Sequence, residues 1–247
     1  MTSRIPRRLG ALAVGALSAA LLSGCGVSDA QFDPGAAARV GDQTVSINDV
    51  DEIVDGACLY FADQAGAQPA PGQPAARAVP RGDVRGQIVQ LLAQRAASEQ
   101  LLDEYDADLA PAYGQAVAQN EKQYADLPAD QRDPLVTGNE AGIYYQAALL
   151  GVGTKILEDE GTAAADQQAA AERGLQAFQE WVESNDVAIN PIFDVSVTDG
   201  AFVAEYATPV SVPVSDLAKL ALVEPQAQGD QVREDYAAVL PADQRCG

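Results

Sequence analysis

The stretch ARVGDQTVSINDVDEIV, residues 38 to 54, decides the fold. Val40 and Val45 flank Gly41-Asp42, a turn signal suited to joining two short strands. Ser46 then stands where a helix N-cap is wanted, with Asp49 three residues later in the position of a capping-box acid. Asp49, Asp51 and Glu52 fall in the first turn, where the helix dipole favours negative charge. Ile47, Val50, Val54, Cys58 and Phe61 follow at spacings of 3, 4, 4 and 3, which is one apolar helix face. A hairpin therefore hands over to a helix that packs on further elements, and Cys58 points into a core.

Toward the C-terminus the pattern is mainly helical. Ala65 to Pro80 holds Pro69, Pro71, Pro74 and Pro80 with Gly66 and Gly72, and reads as a loop. A long helix is predicted from about Arg81 to Tyr105, with Val84, Ile88, Leu91, Leu92, Leu102 and Tyr105 inward. Pro111 opens another, carrying Tyr113, Val117, Tyr124 and Leu127, and Pro128 to Pro134 reads as a break. From Asp133 a further helix places Val136, Ile143, Ala147, Leu150 and Leu157 on one stripe. Thr162 or a neighbour caps an Ala-rich helix through Leu175, Phe178, Trp181 and Val182. Beyond it the period changes. Val187-Ala188-Ile189-Asn190-Pro191 leads to two alternating runs, Phe193–Val197 and Phe202–Tyr206, around Asp199-Gly200, which predicts a short hairpin. The tail from Val212 to Gly247 has room for short helices near Ser215–Leu222 and Asp230–Leu240.

Toward the N-terminus the reading concerns export. Arg4, Arg7 and Arg8 precede an apolar stretch, Gly10 to Leu22, of leader length and too short to span a bilayer alone. Leu22-Ser23-Gly24-Cys25 follows, and resembles a bacterial lipobox, in which small residues beside the cut let the chain lie extended in a peptidase cleft. On that reading residues 1–24 are a signal peptide, Cys25 is the lipidation site, and 25–37 are a flexible tether. Two acyl chains are about what stable anchoring requires. An ordinary signal peptide with an incidental Cys25 is the plainer alternative, and Arg7-Arg8 leaves the export route open between general and twin-arginine. The expected location is the extracytoplasmic face of the cell membrane.

Charge narrows the partners. The chain has 15 Lys+Arg against 36 Asp+Glu, and loss of Arg4, Arg7 and Arg8 with the leader would leave a net charge near −24. Such a surface does not hold nucleic acid through phosphates, nor lie on an anionic bilayer, so contact with the membrane falls to the lipid anchor. Histidine is absent, which removes Ser-His-Asp and Cys-His catalysis and His-based zinc sites together. Asp103, Glu104, Asp106 and Asp108, and again Glu158, Asp159 and Glu160, are acidic runs without the spaced pattern of a calcium loop, and read as solvated helix ends. Neither a cofactor nor a metal site is expected.

Two quoted stretches carry a family resemblance. Residues 38–54 resemble the opening of the chaperone domain of the SurA/PrsA family, a strand, a Gly-containing turn, a second strand and a capped helix. FQEWVESNDVAINPIF, residues 178–193, resembles the segment that closes such domains, a helix ending in Trp before a strand with Asn-Pro. The lipobox fits the lipid-anchored members. The resemblance implies a mainly α domain over 38–247, with a helical body at about 46–185 and a small β element near the two ends, completed by a hairpin and tail at about 187–247. It implies a chaperone-like role, holding unfolded or partly folded exported proteins. The prolyl isomerase domain of the foldase members, with its active-site histidines, has no counterpart here, so no catalytic residue carries over and no enzyme activity is expected.

Cys58 and Cys246 remain for the folded body once Cys25 is acylated. An even pair outside the membrane favours a disulfide. The family's C-terminal segment folds back on its N-terminal one, which suits that pairing. One buried thiol and one in a frayed tail is the alternative. Tyr113, Tyr124, Tyr144 and Tyr145 could edge a client groove or serve as core and boundary residues, and no client-binding residue follows from the sequence. The second functional expectation is an adaptor lipoprotein that binds one folded envelope partner.

Overall fold

The computed structural model describes residues 34–66, 78–162, 166–205, 212, 214–221 and 230–247. Cys25, the leader and most of the tether lie outside the described residues, as does most of the Pro-rich loop. Among the described residues the protein is mainly helical with three small sheets.

β1 (Ala36–Val40) and β2 (Gln43–Ser46) pair antiparallel, with Val40 opposite Gln43. Gly41 takes φ 55, a left-handed value that a side chain would resist. The turn is clamped from outside: Gln100 Nε2 donates to the Val40 carbonyl at 2.8 Å. Ser46 Oγ accepts from the Asp49 amide at 3.0 Å and starts α1 (Ile47–Gly66). Val50, Ile53, Val54 and Ala57 are buried along that helix, while Ile47, Cys58 and Phe61 are half-buried against the core.

A two-residue strand, β3 (Val79–Pro80), precedes α2 (Arg81–Tyr105). Its presence corrects the loop reading there, since Val79 and Pro80 pair with residues far along the chain. α2 is the axis of the molecule, burying Val84, Ile88, Val89, Ala93, Ala97, Leu101 and Leu102. Asp106 ends it in the left-handed conformation, with its amide turned back to the Asp103 and Leu102 carbonyls. α3 (Tyr113–Gln123) is a short helix laid on α4 (Ala129–Asp159).

α4 corrects two expectations. It begins at Ala129, so Pro134 lies inside the helix instead of ending a break. Its ring is used in packing: a Cβ at Gly56 of α1 would come within 2.5 Å of Pro134 Cβ and Cγ, so the two helices approach where one has a bare glycine. Of the stripe Val136, Ile143, Ala147, Leu150 and Leu157, Ala147 is buried and the other four are only half-buried. The deep face is instead Ala141, Ala148, Leu149, Val152, Gly153 and Ile156, mostly smaller residues that admit close helix approach.

α5 (Gln167–Ser184) is capped by Asp166, whose carboxylate accepts from the Ala169 amide at 2.8 Å, rather than by Thr162. Ala177, Phe178, Trp181 and Val182 are buried, but Leu175 is 40% exposed and does not belong to the inward face expected of it. β4 (Val187–Ile189) then joins β1 antiparallel, giving the sheet order β2-β1-β4. Asn190 fixes the join, donating from Nδ2 to the Ala36 carbonyl at 3.0 Å. A 3-10 turn at Pro191–Phe193 leads to the hairpin β5 (Val195–Thr198) and β6 (Ala201–Ala204). Asp199 and Gly200 turn it with φ of 50 and 68. The tail holds α6 (Asp216–Ala221), α7 (Asp230–Val239) and β7 (Arg245–Cys246), which pairs with β3. Phe32–Gly247 is one compact unit.

Candidate functional site

The start of α2 is where sequence-distant elements converge. Two clefts open there, and Pro80, Asp83 and Gln87 line both. The smaller, about 630 Å³, is a groove between α1, α2 and α4, with Ile53, Phe61, Val84, Ile88, Leu91 and Leu135 in its wall. Tyr60 of α1 and Tyr124 meet edge-on at its rim, ring centres 6.4 Å apart. Tyr124 is steadied by Asn139, whose Nδ2 donates to its hydroxyl at 2.9 Å. No Lys or Arg is among its described lining residues.

The larger cleft, about 1130 Å³, lies between α2, the Phe193–Val195 turn, the end of β6 and the tail. Gly86 allows that turn to sit against α2: a Cβ there would stand 2.9 Å from the Phe193 carbonyl oxygen. Arg85 is held on two sides, by Asp51 at 2.8 Å and by the Phe193 ring, 4.8 Å from its guanidinium carbon. Arg81 pairs with Asp55 and reaches the Cys58 sulfur at 3.7 Å. Among the described lining residues, Asp51, Asp83, Asp194, Glu205 and Asp243 give five carboxylates against those two arginines. α7 roofs both clefts, Glu234 at the groove and Tyr236 at the larger cleft.

The tail is fastened in place by a covalent bond. Cys58 and Cys246 are joined as a disulfide, with Cα atoms 4.3 Å apart and a sequence separation of 188 positions. Cys246 is 1% exposed and pairs across β3 with Val79. Ala237 and Leu240 of the tail are also buried.

Asp194 is exposed as a residue and left-handed at φ 51, yet its carboxyl is pushed above the ordinary range. Partial loss of water is the first cause, and the Asp83 and Glu205 carboxylates add to it. A raised folded-state value means that ionisation opposes folding: the contribution is neutral below the unfolded value and becomes unfavourable as pH rises through the folded one. Asp194→Asn, which tolerates the same backbone, is therefore expected to raise Tm by about 1–2 °C at pH 7 and to leave it unchanged near pH 3. Thermal scans of the two proteins at both pH values check this.

The other residues singled out from sequence are dispersed. Of the tyrosines, only Tyr124 reaches the groove. Tyr113 and Tyr144 pair edge-on at 5.7 Å beside Arg95, and Tyr145 packs on Phe178 in the core. Phe61 belongs to the apolar face of α1 expected from sequence, which does not tell core from groove, and Tyr60 lies off that face. The acidic runs stand at the C-terminal ends of α2 and α4. Among the described residues no group of acids or cysteines is arranged to hold a metal ion, and no helix is long and apolar enough to cross a membrane. Comparison with protein-family models, with curated proteins and with solved structures finds no match.

Proposed function

We propose that this protein is a lipid-anchored, extracytoplasmic holding protein built on a SurA/PrsA-type chaperone domain, without isomerase chemistry. It binds apolar stretches of unfolded or partly folded exported chains and so shields surface that would otherwise associate. The observation that carries the reading is the aromatic-edged groove between α1, α2 and α4, where Phe61, Leu91 and Leu135 stay half-exposed above the buried Ile53, Val84 and Ile88. The hairpin-to-helix opening and the strand returning after Trp181 to pair with β1 agree with the domain type. The lipobox at Cys25 supplies the location.

Light scattering from an aggregating, unfolded secreted protein tests this, with an equally acidic inert protein as control. The unit Phe32–Gly247 with its disulfide intact is expected to suppress aggregation at near-stoichiometric ratios. Tyr60→Ser combined with Tyr124→Ser should weaken suppression severalfold at unchanged helical content, because both rings sit at the rim. Absence of suppression by the parent protein would overturn the reading and direct attention to a single folded envelope partner.

A further inference from the structure

The two clefts share wall residues and differ in balance. The groove is walled mainly by apolar side chains, with Asp83 and Glu234 beside them, and has no basic residue among its described lining. The other carries an acid excess among its described lining, and Asp83 and Glu205 lie near enough to Asp194 to act on its carboxyl. Arg81 and Arg85, on the same wall, are already matched to Asp55 and Asp51. A chain lying along the start of α2 would pass from the groove to the acid cluster by way of Pro80, Asp83 and Gln87.

We infer that the tract selects a particular class of segment: an apolar run followed or preceded by Lys or Arg, the apolar side chains in the groove and a cationic one at Asp194 and Glu205. This deepens the holding function and rests on it. Opposite charge in a partly closed cleft gives both steering and selectivity, whereas an acidic segment meets like charge there. A segment of that composition is also the hardest for a highly acidic protein to release nonspecifically, so the local and the diffuse contributions must be separated by experiment.

Dye-labelled 12-residue peptides with one apolar half, and the other half built on lysine, glutamine or glutamate, supply the probe. Binding to Phe32–Gly247 is followed by fluorescence anisotropy. The lysine peptide is expected to bind at least about tenfold tighter than the glutamine peptide at low salt, and the gap to narrow in about 0.5 M NaCl. Asp194→Asn with Glu205→Gln should remove most of that gap. Glu172→Gln with Glu180→Gln, on the exposed face of α5, should not. Equal loss in both double variants would overturn the assignment in favour of the protein's overall field. Equal binding of the lysine and glutamine peptides would overturn the charge selectivity and leave the groove reading standing. Failure of every peptide, the apolar half included, would overturn the groove itself, and the inference with it.

Discussion

Replacing Cys58 and Cys246 together by alanine is expected to cost up to about 5 kcal/mol of stability, the loop-entropy value for a bridge closing 188 residues. The full value applies only if the tail and body unfold together. The described non-covalent hold of the tail on the body includes two residue pairs between β3 and β7 and the buried side chains Ala237 and Leu240, while the hydrogen bond from Arg245 Nη1 to the Ala238 carbonyl at 3.0 Å lies within the tail itself. Without the bond the tail is expected to open first, below the transition of the body. Trp181 is the sole tryptophan and lies in α5, away from the bridge in sequence, so its fluorescence reports the body. Limited proteolysis in the tail reports the strap. The expected result is early cleavage after α7 in the alanine variant, with a lowered urea midpoint at Trp181. An unchanged midpoint and unchanged cleavage would mean that the bridge adds nothing to the folded body.

The second large effect is expected at the crossing of α4 and α5. Gly153 and Gly174 face the opposite backbone directly. A Cβ at Gly153 would overlap the Ala170 carbonyl, and one at Gly174 would overlap the Leu149 carbonyl. Backbone cannot swing aside as a side-chain tip can, so the helices must part and Phe178 and Val152 lose their packing. Gly153→Ala or Gly174→Ala should each cost about 3 kcal/mol or more, lowering Tm by on the order of 10 °C. Gly142→Ala, on the same helix α4, is the control. Its Cβ would meet only Leu91 Cδ2 at 3.4 Å, and alanine is the better helix former, so stability should hold or rise. A loss at Gly142 as large as at Gly153 would point to helix geometry in general, not to the crossing.

These two cases mark what could be read from the sequence. The opening hairpin, the cap at Ser46 and the span of α2 follow from local chemistry: a glycine where φ must be positive, an oxygen where an amide lacks a partner, a Pro before the helix. A strand at Val187–Ile189 follows only from the resemblance carried by residues 178–193, and the order of the sheet does not follow from the sequence. What escaped was set by distant contacts. β3 is two residues long and exists only because Arg245 and Cys246 lie beside it. Pro134 looked like a break because its neighbour across the interface, Gly56, is 78 positions away in the chain. The large residues of α4 made a plausible stripe, yet the deep face follows its small residues, which a hydrophobic pattern weighs lightly. The candidate site was least legible of all. Tyr60 and Phe61 lie on α1, Tyr124 follows α3 and Leu135 lies on α4, and nothing local marks these three segments as neighbours.

The pairing of β1 with β4 also constrains the order in which the chain acquires structure. Ala38 must wait for Ile189, and Asn190 reaches back 154 positions to Ala36. A polypeptide emerging from its N-terminus can form the hairpin and α1 at once, since both are local. It cannot close the sheet until five helices have followed. High contact order of this kind slows folding and leaves early segments exposed for the duration. The protein proposed to shelter unfinished chains would thus itself pass through an unfinished stage, its three-stranded sheet incomplete until β4 arrives.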